Sequence, residues 1–230
     1  MSLKESLGLS LHPVAIAFLE SPPSGVDKWE GGAVPAGCSF WRQAQEGKTF
    51  YTEASDHYNC AVGAYTHKID LPAERSAELE QTVGFMVENS YIHMSEVPGI
   101  PTLPSTPSVI AYGPADTAPF AADVVILSAT PAQAMLIYEA AARAGAESAL
   151  QTIGRPACAV LPLAIKTGGT GISLGCKGNR TFTGLAGDSL YIAIPGSKWE
   201  NVLAQIEPIT SANSRMAAHY SQHKAQFPMA

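Results

Sequence analysis

Residues 123–145 read DVVILSATPAQAMLIYEAAARAG, and this stretch decides the fold class. Asp123 to Ser128 is a short apolar run rich in β-branched residues, which predicts a buried strand. Pro131 then opens a periodic apolar segment that Gly145 closes. Pro in the first turn and Gly just past the end mark a helix. A buried strand followed at once by a helix belongs to a sheet covered by helices.

Working outward, the same two patterns recur without a strict alternation. PVAIAFLE (13–20), KTFYTE (48–53), Ser108 to Tyr112 and SLYIAI (189–194) read as strands. CSFWRQAQEG (38–47), AERSAELEQTVGFMVEN (73–89) and SKWENVLAQIE (197–207) read as helices, the last with Ser197 and Glu200 at capping-box spacing. SDHYNCAVGAYTH (55–67) has Ser55 and Asp56 as candidate N-caps. Four prolines between residues 98 and 107 exclude regular helix or central strand there, and that segment reads as a rigid crossover. The expected architecture is α+β, or an irregular α/β arrangement. A mixed sheet flanked by helices would form a single compact domain over residues 1–210, and 211–230 would be a polar helical tail.

Composition narrows the function classes. The chain has 230 residues, 46% of them hydrophobic, and only 15% are charged against roughly 25% in an ordinary soluble domain. Net charge is −6 with no Lys/Arg cluster, which argues against a nucleic-acid partner. The longest apolar runs fall far short of the ~20 residues of a membrane-spanning helix. No secretory leader is evident, so the expected location is the cytoplasm, with no membrane partner. Four cysteines are too few for a disulfide scaffold, and in a reducing compartment they stay as thiols, bind metal or do catalysis.

The settings of the cysteines say more than their spacing. Cys38 (PAGCSFW), Cys60 (DHYNCAVG) and Cys176 (LGCKGNR) each sit where a loop enters an expected helix. A helix N-terminus offers free N–H groups and partial positive charge, which favour thiolate, the form that binds metal or attacks. Cys158 (ACAVLP) starts an apolar run and reads equally well as a buried structural thiol. No CxxC spacing occurs, so any shared site must be assembled by the fold. Gly175 and Gly178 would let backbone approach a cofactor closely. His57, three residues before Cys60, is a candidate ligand or proton carrier, and His67 a weaker one. Arg180, four residues after Cys176, is a candidate clamp for a carboxylate or phosphate. Arg155 reads as a structural ion pair. His219 and His223 read as a solvated tail. GxxxxGK[ST], GxGxxG, GxSxG and HExxH are all absent.

Taken in order, PVAIAFLESPPSG, GKTFYTEASDHYNCAVGAY, ADVVILSATPAQAM, ISLGCKGNRTFTGL and SLYIAIPG resemble the DUF169 (ArCR) family of uncharacterised archaeal and bacterial proteins. The resemblance runs from about Pro13 to Glu207. It implies that Cys38, Cys60, Cys158 and Cys176 fall at the family's cysteine positions. It implies no reaction. From the residues, the leading expectation is an iron–sulfur ([4Fe–4S]) enzyme, a lyase, hydrolase or oxidoreductase, acting on a small and potentially anionic molecule. The four cysteines would be its ligands, and His57 and Arg180 its catalytic groups. Zinc is the alternative metal. A ligand-sensing module without metal, or a cysteine nucleophile with His57 as base, are the alternatives to a metalloenzyme. A closed cluster would bring an electron-transfer partner, and homo-oligomerisation is left open.

Overall fold

A computed structural model describes residues 3–57, 60–146 and 152–224 of the chain. The elements run α1 (Leu3–Leu7), β1 (Val14–Leu19), α2 (Cys38–Gln45), β2 (Phe50–Glu53), α3 (Ala61–His67) and α4 (Ala73–Glu88). They continue with β3 (Val109–Pro114), β4 (Val124–Ala129), α5 (Pro131–Arg143), β5 (Thr152–Ile153) and α6 (Val160–Thr167). The remaining elements are β6 (Gly171–Ser173), α7 (Lys177–Thr183), β7 (Leu190–Pro195) and α8 (Trp199–Lys224).

The strands form one seven-stranded sheet in the order β2-β3-β1-β4-β7-β6-β5. Every pairing is antiparallel except β5 with β6, so the sheet is mixed and the fold is α+β. The two-residue period of the central strands builds two cores. Val124, Ile126, Tyr191 and Ala193 face one side, where they meet Phe40 and Trp41 of α2 and Leu161 and Ala164 of α6. Val125, Leu127, Ile192 and Ile194 face the other, against α1, α5 and α8. Strands buried on both faces read as continuous apolar runs, and DVVILS does so for this reason.

The stretch 123–145 folds as expected. Thr130 caps α5 by accepting the Gln133 N–H, and the Gln133 side chain returns to the Thr130 N–H. Other boundaries differ. Ser197 lies in a 3₁₀ turn (Gly196–Lys198) that precedes α8 and does not act as the expected cap. α8 then runs unbroken from Trp199 through residue 211 to Lys224, with Pro208 inside it. Residues 225 and 226 of the expected tail helix, and the side chain of His223, lie outside the described part. The expected caps Ser55 and Asp56 sit instead in a 3₁₀ turn (Ala54–Asp56), and Cys60 is the N-cap of α3. Tyr58 and Asn59, between them, also fall outside. Among the described residues no helix is long and apolar enough to cross a membrane.

Candidate functional site

Three of the four cysteines stand at helix N-termini. Cys38 is the first residue of α2, Cys60 caps α3 and Cys176 caps α7. Cys158 lies in a 3₁₀ turn (Ala157–Ala159) that leads into α6. The sheet side carrying α2 and α6 brings these four ends together, with α7 packed on α2. All four cysteines line one chamber of about 620 Å³, within the usual size range for small-molecule sites. Its far wall comes from α4, from Tyr91 and Ile92, and from residues 96–101. The proline-rich segment is therefore part of the chamber.

The thiols are neighbours. The Cys60 sulfur accepts the Gly63 N–H at 3.3 Å, and the Thr66 hydroxyl lies 3.2 Å from the Cys158 sulfur. A Cβ placed on Gly63 would lie 3.2 Å from the Cys60 sulfur and 4.0 Å from that of Cys158, so both sulfurs border the space beside this one glycine. Cys38, Cys60 and Cys158 each lie near enough to Cys176 for a charge there to oppose their ionisation. All four carry free thiols. Among the described residues no three of His, Cys, Asp or Glu converge as ligands of a single metal ion would.

Burial sets the protonation of these groups, against the expectation that helix ends would favour thiolate. Loss of hydration, with a smaller push from Cys60, raises Cys38 to about 12. The same desolvation raises Cys60 and Cys158. Helix N–H groups oppose this, as the Gly63 contact does for Cys60, but the desolvation is larger. Three of the thiols are therefore protonated at neutral pH unless a cation compensates them.

His57 and His67 are buried and neutral. Desolvation lowers His57 to about 3 and His67 to about 4. The Thr52 hydroxyl lies 3.0 Å from His57 Nε2 and 3.3 Å from the Ile110 carbonyl. His57 Nδ1 is buried beside Gly37 without a hydrogen-bond partner. His67 lies against the Cys158 carbonyl at 3.3 Å. Both histidines have folded pKa values below the unfolded ~6.5, so the unfolded state binds more protons in acid. Stability should be complete above pH ~6.5 and fall as pH drops towards 4, by about 1.4 kcal/mol per pH unit for each histidine. Urea midpoints at pH 7.5, 5.5 and 4.5 measure this, and His67→Gln should reduce the slope. A midpoint unchanged between pH 7.5 and 4.5 would contradict the assignment.

The two arginines sit differently from expectation. Arg180 is not available as an anion clamp. Its guanidinium donates to the carbonyls of Leu174, Leu185, Ala186 and Ser189, which stitches the loop after α7 to the strand before it. It is not among the described residues that line the chamber. Arg155, expected to be ion-paired, does line the chamber, and none of the described ion pairs includes it. Gly175 also lies off the chamber. Its φ of +77° turns the chain, and a side chain there would press on Leu185 and Asn179. Gly178 does line the chamber, with open space where its side chain would be.

Asn179 is the chamber residue that reading the motifs missed. It is 1% exposed and neither amide atom has a well-formed hydrogen bond. It still lies near enough to the Cys38 thiol and the Tyr191 hydroxyl to oppose their upward shifts. The signal was present: Asn179 follows the N-cap Cys176 by three residues, which places both on one face.

The family model for DUF169, described as uncharacterised ArCR, matches residues 2–205. No curated protein and no solved structure matches.

Proposed function

The chain belongs to the DUF169 family, and we propose that it is an iron–sulfur enzyme acting on a small molecule in its thiol-lined chamber. One observation carries this reading: four cysteines from distant segments line the same chamber, three of them at helix N-termini. Cys38, Cys60, Cys158 and Cys176 would hold a [4Fe–4S] cluster. Bound, it would supply a Lewis-acidic iron if three thiolates ligate it, or an electron relay if four do.

A cluster and a single zinc ask different spacings of four thiolates. Sulfurs on one tetrahedral zinc lie only ~4 Å apart, because each bond is about 2.3 Å. Thiolates on a cluster each take their own iron and are spaced more widely. A bound metal would have to displace the protons that desolvation holds on Cys38, Cys60 and Cys158. A reducing compartment such as the cytoplasm would suit four free thiols.

The chain's own residues would do the rest. His57 lines the chamber as a neutral ring and would hydrogen-bond a bound molecule rather than hold its proton. Thr66 steadies the Cys158 sulfur. A cysteine nucleophile fits less well. Cys38, Cys60 and Cys158 are pushed up, and no described thiol is hydrogen-bonded to a histidine ring.

Anaerobically purified protein should be brown, absorb near ~400 nm and carry about four iron and four sulfide per chain. Colourless protein without iron or sulfide would overturn the cluster and favour a metal-free binding module.

A further inference from the structure

We infer that the chamber binds a small organic anion with an apolar body, its charged end on Arg155 and a hydrogen-bonding group on Asn179. The inference deepens the small-molecule reading of the chamber and does not depend on metal.

At the chamber wall, the Arg155 guanidinium lies over the Tyr91 ring, 4.9 Å from its centroid. Stacking occupies a guanidinium face and leaves its N–H edges in the plane, where a carboxylate or phosphate docks with two parallel bonds. Tyr91 is itself held, because its hydroxyl accepts the Lys177 N–H at 3.1 Å. That bond ties Arg155, through the ring, to the start of α7, the helix that carries Asn179. Glu96 shares the wall, but its carboxylate accepts the His93 N–H at 3.0 Å and makes no described ion pair with Arg155.

Deeper in, the buried Asn179 amide touches the Cys38 thiol and the Tyr191 hydroxyl but makes no well-formed hydrogen bond, and the buried His57 Nδ1 has no partner. Unpaired buried polar atoms are costly, so native proteins retain few of them without a function. Between the two ends the wall is apolar, with Val62, Ile69, Leu71, Met86, Ile92 and Phe182. A charged end, an apolar middle and a donor–acceptor pair describe a short-chain or aromatic acid bearing one further polar group. Arg155 is exposed, so it selects for charge without the cost of burying it.

The test is calorimetric titration of the full chain with butyrate, hexanoate and benzoate, each paired with its neutral amide. Carboxylates should bind at least about tenfold more tightly than their amides, a difference of about 1.4 kcal/mol. Arg155→Gln should reduce each carboxylate to the level of its amide. Asn179→Leu should weaken acid and amide alike while leaving the melting temperature unchanged or higher, because it removes unpaired buried atoms. Butyl phosphate against butyrate distinguishes the two oxyanion chemistries, and either preference keeps Arg155 as the anion site. The inference fails if no carboxylate exceeds its amide, or if Arg155→Gln leaves carboxylate affinity unchanged. Iron and sulfide measured on the same samples separate the two readings. A carboxylate preference in iron-free protein overturns the cluster alone. A cluster-bearing protein without that preference overturns this inference alone.

Discussion

Cys176→Ser should reduce iron and acid-labile sulfide from about four each per chain to background, with loss of the brown colour. Cys176 is the informative choice because it is only partly buried and caps α7 without a side-chain hydrogen bond. Serine is a better N-cap than cysteine, so the helix should persist. Metal-free stability should then stay within about 1 kcal/mol of the parent, which separates loss of a ligand from loss of fold. Cys158→Ser makes the contrast. That sulfur is buried and contacted by the Thr66 hydroxyl, so serine should lower both iron content and stability. Metal assay, absorbance and urea melts on the three proteins give the full comparison. Parental iron in Cys176→Ser would remove Cys176 from the ligand set.

Trp41→Ala should cost about 3–5 kcal/mol, a large fraction of the roughly 5–15 kcal/mol that holds a typical domain together. Trp41 is fully buried on α2 and meets Tyr191 of the central strand β7 edge-on, with ring centroids 5.4 Å apart. Alanine leaves a cavity where α2 is seated on the sheet. Its indole N–H is buried without a partner, which makes a sharper comparison possible. Trp41→Phe keeps most of the ring and removes the unpaired donor, so it should cost less than about 1.5 kcal/mol. Cys38 begins the same helix, so Trp41→Ala should also weaken iron retention while Trp41→Phe should not. Urea unfolding of both variants measures the order. An alanine cost below about 1 kcal/mol would show that α2 is held by something else.

The strands and helices were largely legible because their signals are short-range. β4 and α5 follow from an apolar run, a Pro in the first turn and a closing Gly, all inside the single stretch 123–145. The cysteine settings were legible for the same reason, since a glycine or short polar residue before an apolar periodic segment marks a helix entrance. The short edge strands β5 and β6 were not. Two and three residues carry too little pattern, and they exist only because β7 offers an edge to β6 and β6 in turn to β5.

The arginines show where local reading stops. Arg180 and Arg155 each lie near a cysteine in the chain. What separates them is that the segment from Leu185 to Ser189 folds back to present its carbonyls to Arg180, while Arg155 meets the ring of Tyr91, far earlier in the chain. The protonation of the thiols was hidden likewise, since a helix end acts over one turn but desolvation depends on everything packed around it.

By itself, then, the sequence determined that a mixed sheet would be covered by helices and that three cysteines would stand at helix entrances. Periodicity, caps and turn residues act over a few positions and survive in any context. The tertiary structure alone decided that residues 38, 60, 158 and 176 line one chamber, that the thiols of Cys38, Cys60 and Cys158 are held up, and that Arg155 faces the chamber. Those outcomes depend on contacts between segments as distant in the chain as Cys38 and Cys176, and a free energy that depends on burial exists only once those segments have packed.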